Sequence, residues 1–150
     1  MAGARSGASS YQTADVPFYT LESFGAIGDG VTDDAAAIQA CHDAILANGH
    51  GGLIVPQNRT YIVNTPISFT APGIRILGAG WDQANFIYGT VFKAGASIAQ
   101  IFNVGSGAEG FELQGCSLNG NGTCTSAVLT CDALNSRLLN NHIRRPGTGA

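Results

Sequence analysis

The chain has 150 residues, enough for one domain with a sizeable core and too few for two of ordinary size. Charged residues make up only 11%, while glycine reaches 21 residues and apolar types 45%, so solubility rests on Ser, Thr, Asn and Gln. A formal net charge of −3 gives no electrostatic grip on nucleic acid or on an anionic membrane, and neither is expected as a partner.

Residues 1–17, MAGARSGASSYQTADVP, contain one arginine and no apolar run of seven or more residues, which fits neither a signal peptide nor a membrane span. Residues 1–20 are read as an attachment arm and 21–150 as the folded part. Next comes FGAIGDGVTDDAAAIQAC, residues 24–41, with three glycines, Gly25, Gly28 and Gly30, and three aspartates, Asp29, Asp33 and Asp34. Thr32 is expected to N-cap a helix, with Asp33 and Asp34 placing negative charge at the positive end of its dipole. Ile38, Cys41 and Ile45 recur at i, i+3 and i+7 as one apolar stripe with Ala37 and Ala44 beside it. Asn48 and Gly49 supply the C-terminal stop.

After residue 50 the pattern changes to short apolar runs: GLIVP (52–56), TYIV (60–63), ISF (67–69), IRILG (74–78), TVF (90–92), IFNV (101–104), FELQ (111–114), CSLNG (116–120), AVLTC (127–131) and RLLNNHI (137–143). Each is rich in β-branched or aromatic residues and bounded by turn formers, which predicts strands. Such a series suits a sandwich, a barrel or a solenoid. The uneven connections and the grouping of two or three strands per coil-sized stretch favour the solenoid without excluding the others. A stacked coil leaves an apolar cross-section open at its end, and an amphipathic helix just before the first coil is placed to cover it. The last residues, RRPGTGA, offer no such cover, and the coil is expected to continue beyond residue 150.

FGAIGDGVTDDAAAIQAC followed by GGLIVPQNRTYIV resembles the opening of the pectate-lyase-like superfamily, and GFELQGCSLNGNG (110–122) and SRLLNNHIRRP (136–146) resemble its coil repeats. The resemblance implies an all-β solenoid: a right-handed parallel β-helix with an N-terminal capping α-helix. It also implies a liking for polysaccharide, since the superfamily holds polygalacturonases, pectate lyases, glucanases and phage tailspikes. The catalytic carboxylates of its enzymes generally lie on middle coils. The Asn-Thr-Asp, Asp-Asp, Gly-His-Gly and Arg-x-Lys set of polygalacturonases is not present as a set. Of the functions implied, the N-terminal part of a phage tailspike or tail fibre fits first, located in the virion tail. Its implied partners are two further copies in a homotrimer, other tail proteins bound through the arm, and host-surface polysaccharide. The alternative is an extracellular polysaccharide-degrading hydrolase or lyase with its active site on later coils.

Asp29, Asp33 and Asp34 lack the D-x-D-x-D-G rhythm of a calcium loop and read as turn and cap residues. Gly25, Gly28 and Gly30 match neither dinucleotide nor P-loop spacing, and Gly78-Ala79-Gly80 fails the same test because Gln83 stands where a third glycine belongs. Glu109, Glu112 and Asp132 are the only carboxylates after Asp82, and no pair is marked out for glycoside hydrolysis. Glu112 alternates with Phe111 and Leu113 and is expected to face solvent. His142, Arg144 and Arg145 are read as coil surface or subunit contact, and Trp81 and Tyr88 as loop aromatics suited to stacking on sugar. The sequons at Asn58 and Asn121 read as accidental. Cys41, Cys116, Cys124 and Cys131 are expected as buried free thiols, with a Cys116–Cys124 pair left open. No catalytic, metal-binding or cofactor-binding residue is assigned, and no cofactor is expected.

Overall fold

Apolar runs cut short by glycine, asparagine and proline give strands of two to five residues, too short to hold together except by stacking. The computed structural model describes residues 17–80 and 89–144. Within them the order is β1 (Phe18–Tyr19), a 3₁₀ turn (Leu21–Phe24), β2 (Asp29–Asp33), α1 (Ala35–Asn48), β3 (Gly52–Ile54), β4 (Thr60–Val63), β5 (Ile67–Phe69) and β6 (Ile74–Leu77). Then follow β7 (Thr90–Ala94), β8 (Phe102–Val104), β9 (Glu112–Gln114), β10 (Cys116–Asn119), β11 (Leu129–Cys131), β12 (Arg137–Leu139) and β13 (His142–Arg144).

Every strand pair is parallel, and the strands sort into three sheets: β1-β3-β6-β9-β12, β2-β4-β7-β10-β13 and β5-β8-β11. The chain visits the sheets in a fixed rotation, so each coil lays one strand on each face and excludes a sandwich. This is the expected right-handed parallel β-helix. The third sheet has three strands where the others have five, and the reason is α1. It lies between β2 and β3 in the chain, where the first coil would have placed a third-sheet strand.

In-register stacking builds the core from columns of like side chains. Ile54, Ile76 and Leu113 form one column, Tyr61, Phe92 and Leu118 a second, and all six are buried. Phe69 links the third sheet to this interior through Phe102 and Phe111, each with ring centroids 5.2 Å away. From α1 the core takes Ile38, Cys41 and Ile45, the stripe expected from spacing, with exposures of 2%, 0% and 0%. Gly49 closes the helix at φ 76°, donating its N–H to Ile45 O, a left-handed position where glycine is the natural occupant.

Three expectations need correction. Thr32 does not cap α1. It lies in β2, and Asp34 N–H still donates to Ile62 O in the second sheet, so the helix starts only at Ala35. RLLNNHI is two strands, because Asn140 takes φ 51° and turns the chain from the first sheet to the second. Asn141 then stitches that corner to the previous coil, accepting from Cys116 N–H at 3.0 Å and donating to Leu113 O at 2.6 Å. Finally, β1 pairs with β3, so Phe18 and Tyr19, within the segment assigned to the arm, belong to the first sheet.

Candidate functional site

The aspartates of the opening motif each have backbone to hold. Asp29 accepts from the amides of Thr32 (2.7 Å) and Val31 (2.9 Å) and from the Thr32 hydroxyl (2.8 Å), a local turn that keeps its carboxyl below the usual carboxylate range. Asp33 Oδ1 accepts from Ala35 and Asn64, both at 3.1 Å, tying the helix start to the end of β4. Asp34 is only 2% exposed and accepts from Ile27 (2.7 Å) and Gly28 (3.1 Å), closing the glycine turn back onto the helix. The three carboxylates thus diverge onto separate donors. Among the described residues no group of three or more His, Cys, Asp and Glu side chains is arranged to hold a metal. Gly28 is required by space as well as by φ 65°, since a Cβ there would stand 2.8 Å from Arg59 Cβ.

The polar face of α1 does work that spacing could not reveal. Ser68 N–H donates to Gln39 Oε1 at 2.9 Å, and Gln39 Nε2 donates to Ser68 O at 3.1 Å. One side-chain amide therefore occupies both hydrogen-bonding groups that β5 would offer to a missing neighbour strand. Three residues along the helix, buried His42 accepts at Nε2 from Thr70 N–H (3.0 Å) and Ala71 N–H (3.3 Å). Together they seal the first edge of the third sheet, the kind of open edge that proteins must cover. Beside this seam lies a shallow groove of about 270 Å³ lined by Asp33, Ala35, Gln39, Thr65, Pro66 and Ile67 among others, smaller than the usual ligand pocket.

The outer faces of the three sheets differ in chemistry. The second is covered where Val91 and Ser117 lie, at 2% and 0% exposure. The first carries a column of Arg75, Glu112 and Arg137 in register. Glu112 does not face open solvent as expected; it is half-buried and paired with Arg75 at 3.2 Å. Beside that column Leu77 and Leu139 are 42% and 41% exposed. The third sheet presents Ser68, Asn103 and Thr130 in register, uncharged and half-buried, with Thr130 Oγ1 donating to Asn103 Oδ1 at 2.9 Å. A row of hydroxyl and amide groups at one rung spacing is the face best suited to hydrogen-bond a chain of hydroxyls.

Other candidates stand as follows. Glu109 and Asp132 are exposed in the turns from the third sheet to the first on successive coils. His142 and Arg144 occupy β13, on the same side as Ser117 and Asn119 beneath them. Trp81, Tyr88, Arg145 and residues 1–16 lie outside the described residues. All four cysteines are free, so Cys116 and Cys124 are not paired. Cys41 and Cys116 are buried thiols pushed up to about 12 by desolvation, poor nucleophiles at neutral pH. Cys131, expected to be buried, is exposed because it sits on the last described rung of its column. No helix among the described residues is long and apolar enough to cross a membrane.

Parallel three-sheet coiling, a helix in the first third-sheet slot and the glycine–aspartate turn that leads into it place the chain in the pectate-lyase-like superfamily of right-handed parallel β-helix proteins. No family model matches the chain. Mannuronan C5-epimerase AlgE4 of Azotobacter vinelandii is 31% identical over 115 residues, covering 72% of this chain and 20% of the epimerase. The solved A-module of mannuronan C-5 epimerase AlgE6 from the same organism superposes with a TM-score of 0.69 at 26% identity, covering 85% of this chain and 38% of that one. Depolymerase 1 of Klebsiella phage KN3-1, described as specific for capsule KN3, is 44% identical over 45 residues, 30% of this chain and 6% of the depolymerase. The chain therefore spans a fifth or less of the curated relatives it matches.

Proposed function

We propose that the chain is the leading part of a phage tailspike or tail fibre whose β-helix engages host-surface polysaccharide. The observation that carries the reading is the likeness to a phage capsule depolymerase on a fold shared with polysaccharide epimerases. In this reading residues 1–16 and the strand that follows join the tail, three copies assemble as a homotrimer on the virion, and the sugar chain runs along the third sheet. There Ser68, Asn103 and Thr130 would meet successive hydroxyls, since rungs stand about 4.8 Å apart.

A second reading is favoured by the extent of the epimerase likeness, which covers 72% of the chain. The protein would then be a polysaccharide-modifying enzyme, and its catalytic groups would lie on later coils. That placement agrees with the described carboxylates, each of which holds backbone, bonds a neighbouring side chain or makes no ion pair.

The test is to incubate the purified protein with Klebsiella capsule and with mannuronan. Viscosity and new reducing ends report cleavage, anomeric proton signals report epimerisation, and sedimentation of labelled glycan reports binding. Binding without conversion by a trimer supports the spike. Conversion supports an enzyme and overturns the placement of its catalytic groups on later coils, whereas a monomer that binds neither polymer sinks the spike.

A further inference from the structure

The hydrogen bonds around His42 admit one protonation state. Nε2 faces the amides of Thr70 and Ala71, which can only donate, so it must be an unprotonated acceptor. Nδ1 then carries the proton and donates to Asp43 Oδ1 at 2.8 Å. Gln39 agrees with this assignment: its two amide hydrogens go to Ser68 O and Asp43 Oδ1, both at 3.1 Å, so its approach to Nδ1 is a contact and not a bond. The ring is buried, edge-on to Phe69 at 5.7 Å between centroids.

We propose that α1 is an acid-released seal: protonation of His42 ejects the helix from the edge of the third sheet. An imidazolium would aim an Nε2–H at two amide N–H groups in a buried site, losing both bonds, with only the Thr70 hydroxyl, 3.4 Å from Nε2, able to accept it. The charged group in contact with the ring is Asp43, on α1 itself; the β5 side contributes Ser68, Phe69, Thr70 and Ala71, none of them ionisable. Asp43 favours the imidazolium, but its side chain is 63% exposed and its attraction is weakened by solvent, whereas the facing amides are not. The seal is therefore held by the neutral ring and opened by its protonation. Opening frees the N–H and C=O of Ser68 and the N–H groups of Thr70 and Ala71, an edge ready to pair with another β-strand.

The experiment is amide hydrogen exchange by NMR on the intact protein from pH 5 to pH 8, corrected for intrinsic exchange, with nitrogen shifts of the imidazoles recorded in parallel. The expected result is a neutral His42 with its proton on Nδ1 at pH 8, and at least a tenfold loss of protection at Ser68, Thr70 and Ala71 as His42 gains a proton. Buried core amides such as Leu113 should keep theirs. Two results would overturn the proposal: protonation of His42 with those amides still protected, or a melting temperature that rises on acidification, which would mean that the Asp43 pair dominates. His42→Gln should remove the pH dependence, and His50→Gln, altering an exposed histidine, should leave it intact. If His42→Gln does not fold, the wild-type exchange and shift data decide alone.

Discussion

Asp34 is a buried charged side chain, and what it holds is backbone. Asp34→Ala leaves the amides of Ile27 and Gly28 without an acceptor and should cost about 2–4 kcal/mol, measured by urea unfolding. Asp34→Asn, which keeps one acceptor oxygen, should lose roughly half of that. Asp29 makes a different prediction because its folded-state pKa is depressed. Its contribution is present above the ordinary carboxylate value of about 3.9 and is lost as pH falls through the lower folded value. Asp29→Asn should therefore flatten the acid limb of a stability–pH curve and leave the neutral region's slope unchanged. The motif's composition identified these aspartates as turn and helix-start residues. It could not say which one capped what, because Thr32 is claimed by the Asp29 carboxylate and β2 runs on to Asp33 before the helix can begin.

At the scale of elements, α1 is a cover whose apolar stripe was legible and whose polar stripe was not. Ile38, Cys41 and Ile45 announce themselves by spacing, since every partner they need is another apolar side chain. Gln39 and His42 are also spaced to share a face, but their partners are strand peptide groups about thirty residues further on, which no local pattern encodes. Gln39→Ala should lower stability by about 1–2 kcal/mol and speed exchange at the Ser68 amide. Gln39→Glu keeps the acceptor for Ser68 N–H and loses the donor to Ser68 O, so its exchange at Ser68 should fall between wild type and alanine. RLLNNHI shows the same limit in a strand. Its apolar residues were visible, but the corner at Asn140 depends on a left-handed backbone that asparagine tolerates and sequence does not demand.

For the whole molecule, position along the coil axis should govern the cost of a mutation more than residue type does. Leu113 is fully buried between Ile76 and Leu138 in register, and Leu113→Ala should cost about 2–5 kcal/mol. Leu138, the next residue in that column, is 44% exposed, and Leu138→Ala should cost less than half as much in the same urea titration. The solenoid was recognisable from its opening motif and strand grouping, whereas the assignment of strands to sheets was not. Parallel pairing joins residues a full coil apart, and coil lengths are uneven. The helix in the third-sheet slot has a mechanical consequence. Each coil is bound chiefly to its neighbour, while α1 is pinned by side chains across to the β5 coil. Stretched between its two ends in an optical trap, the molecule should give a sawtooth of single-coil steps, and the highest force peak should be the one that pulls α1 out.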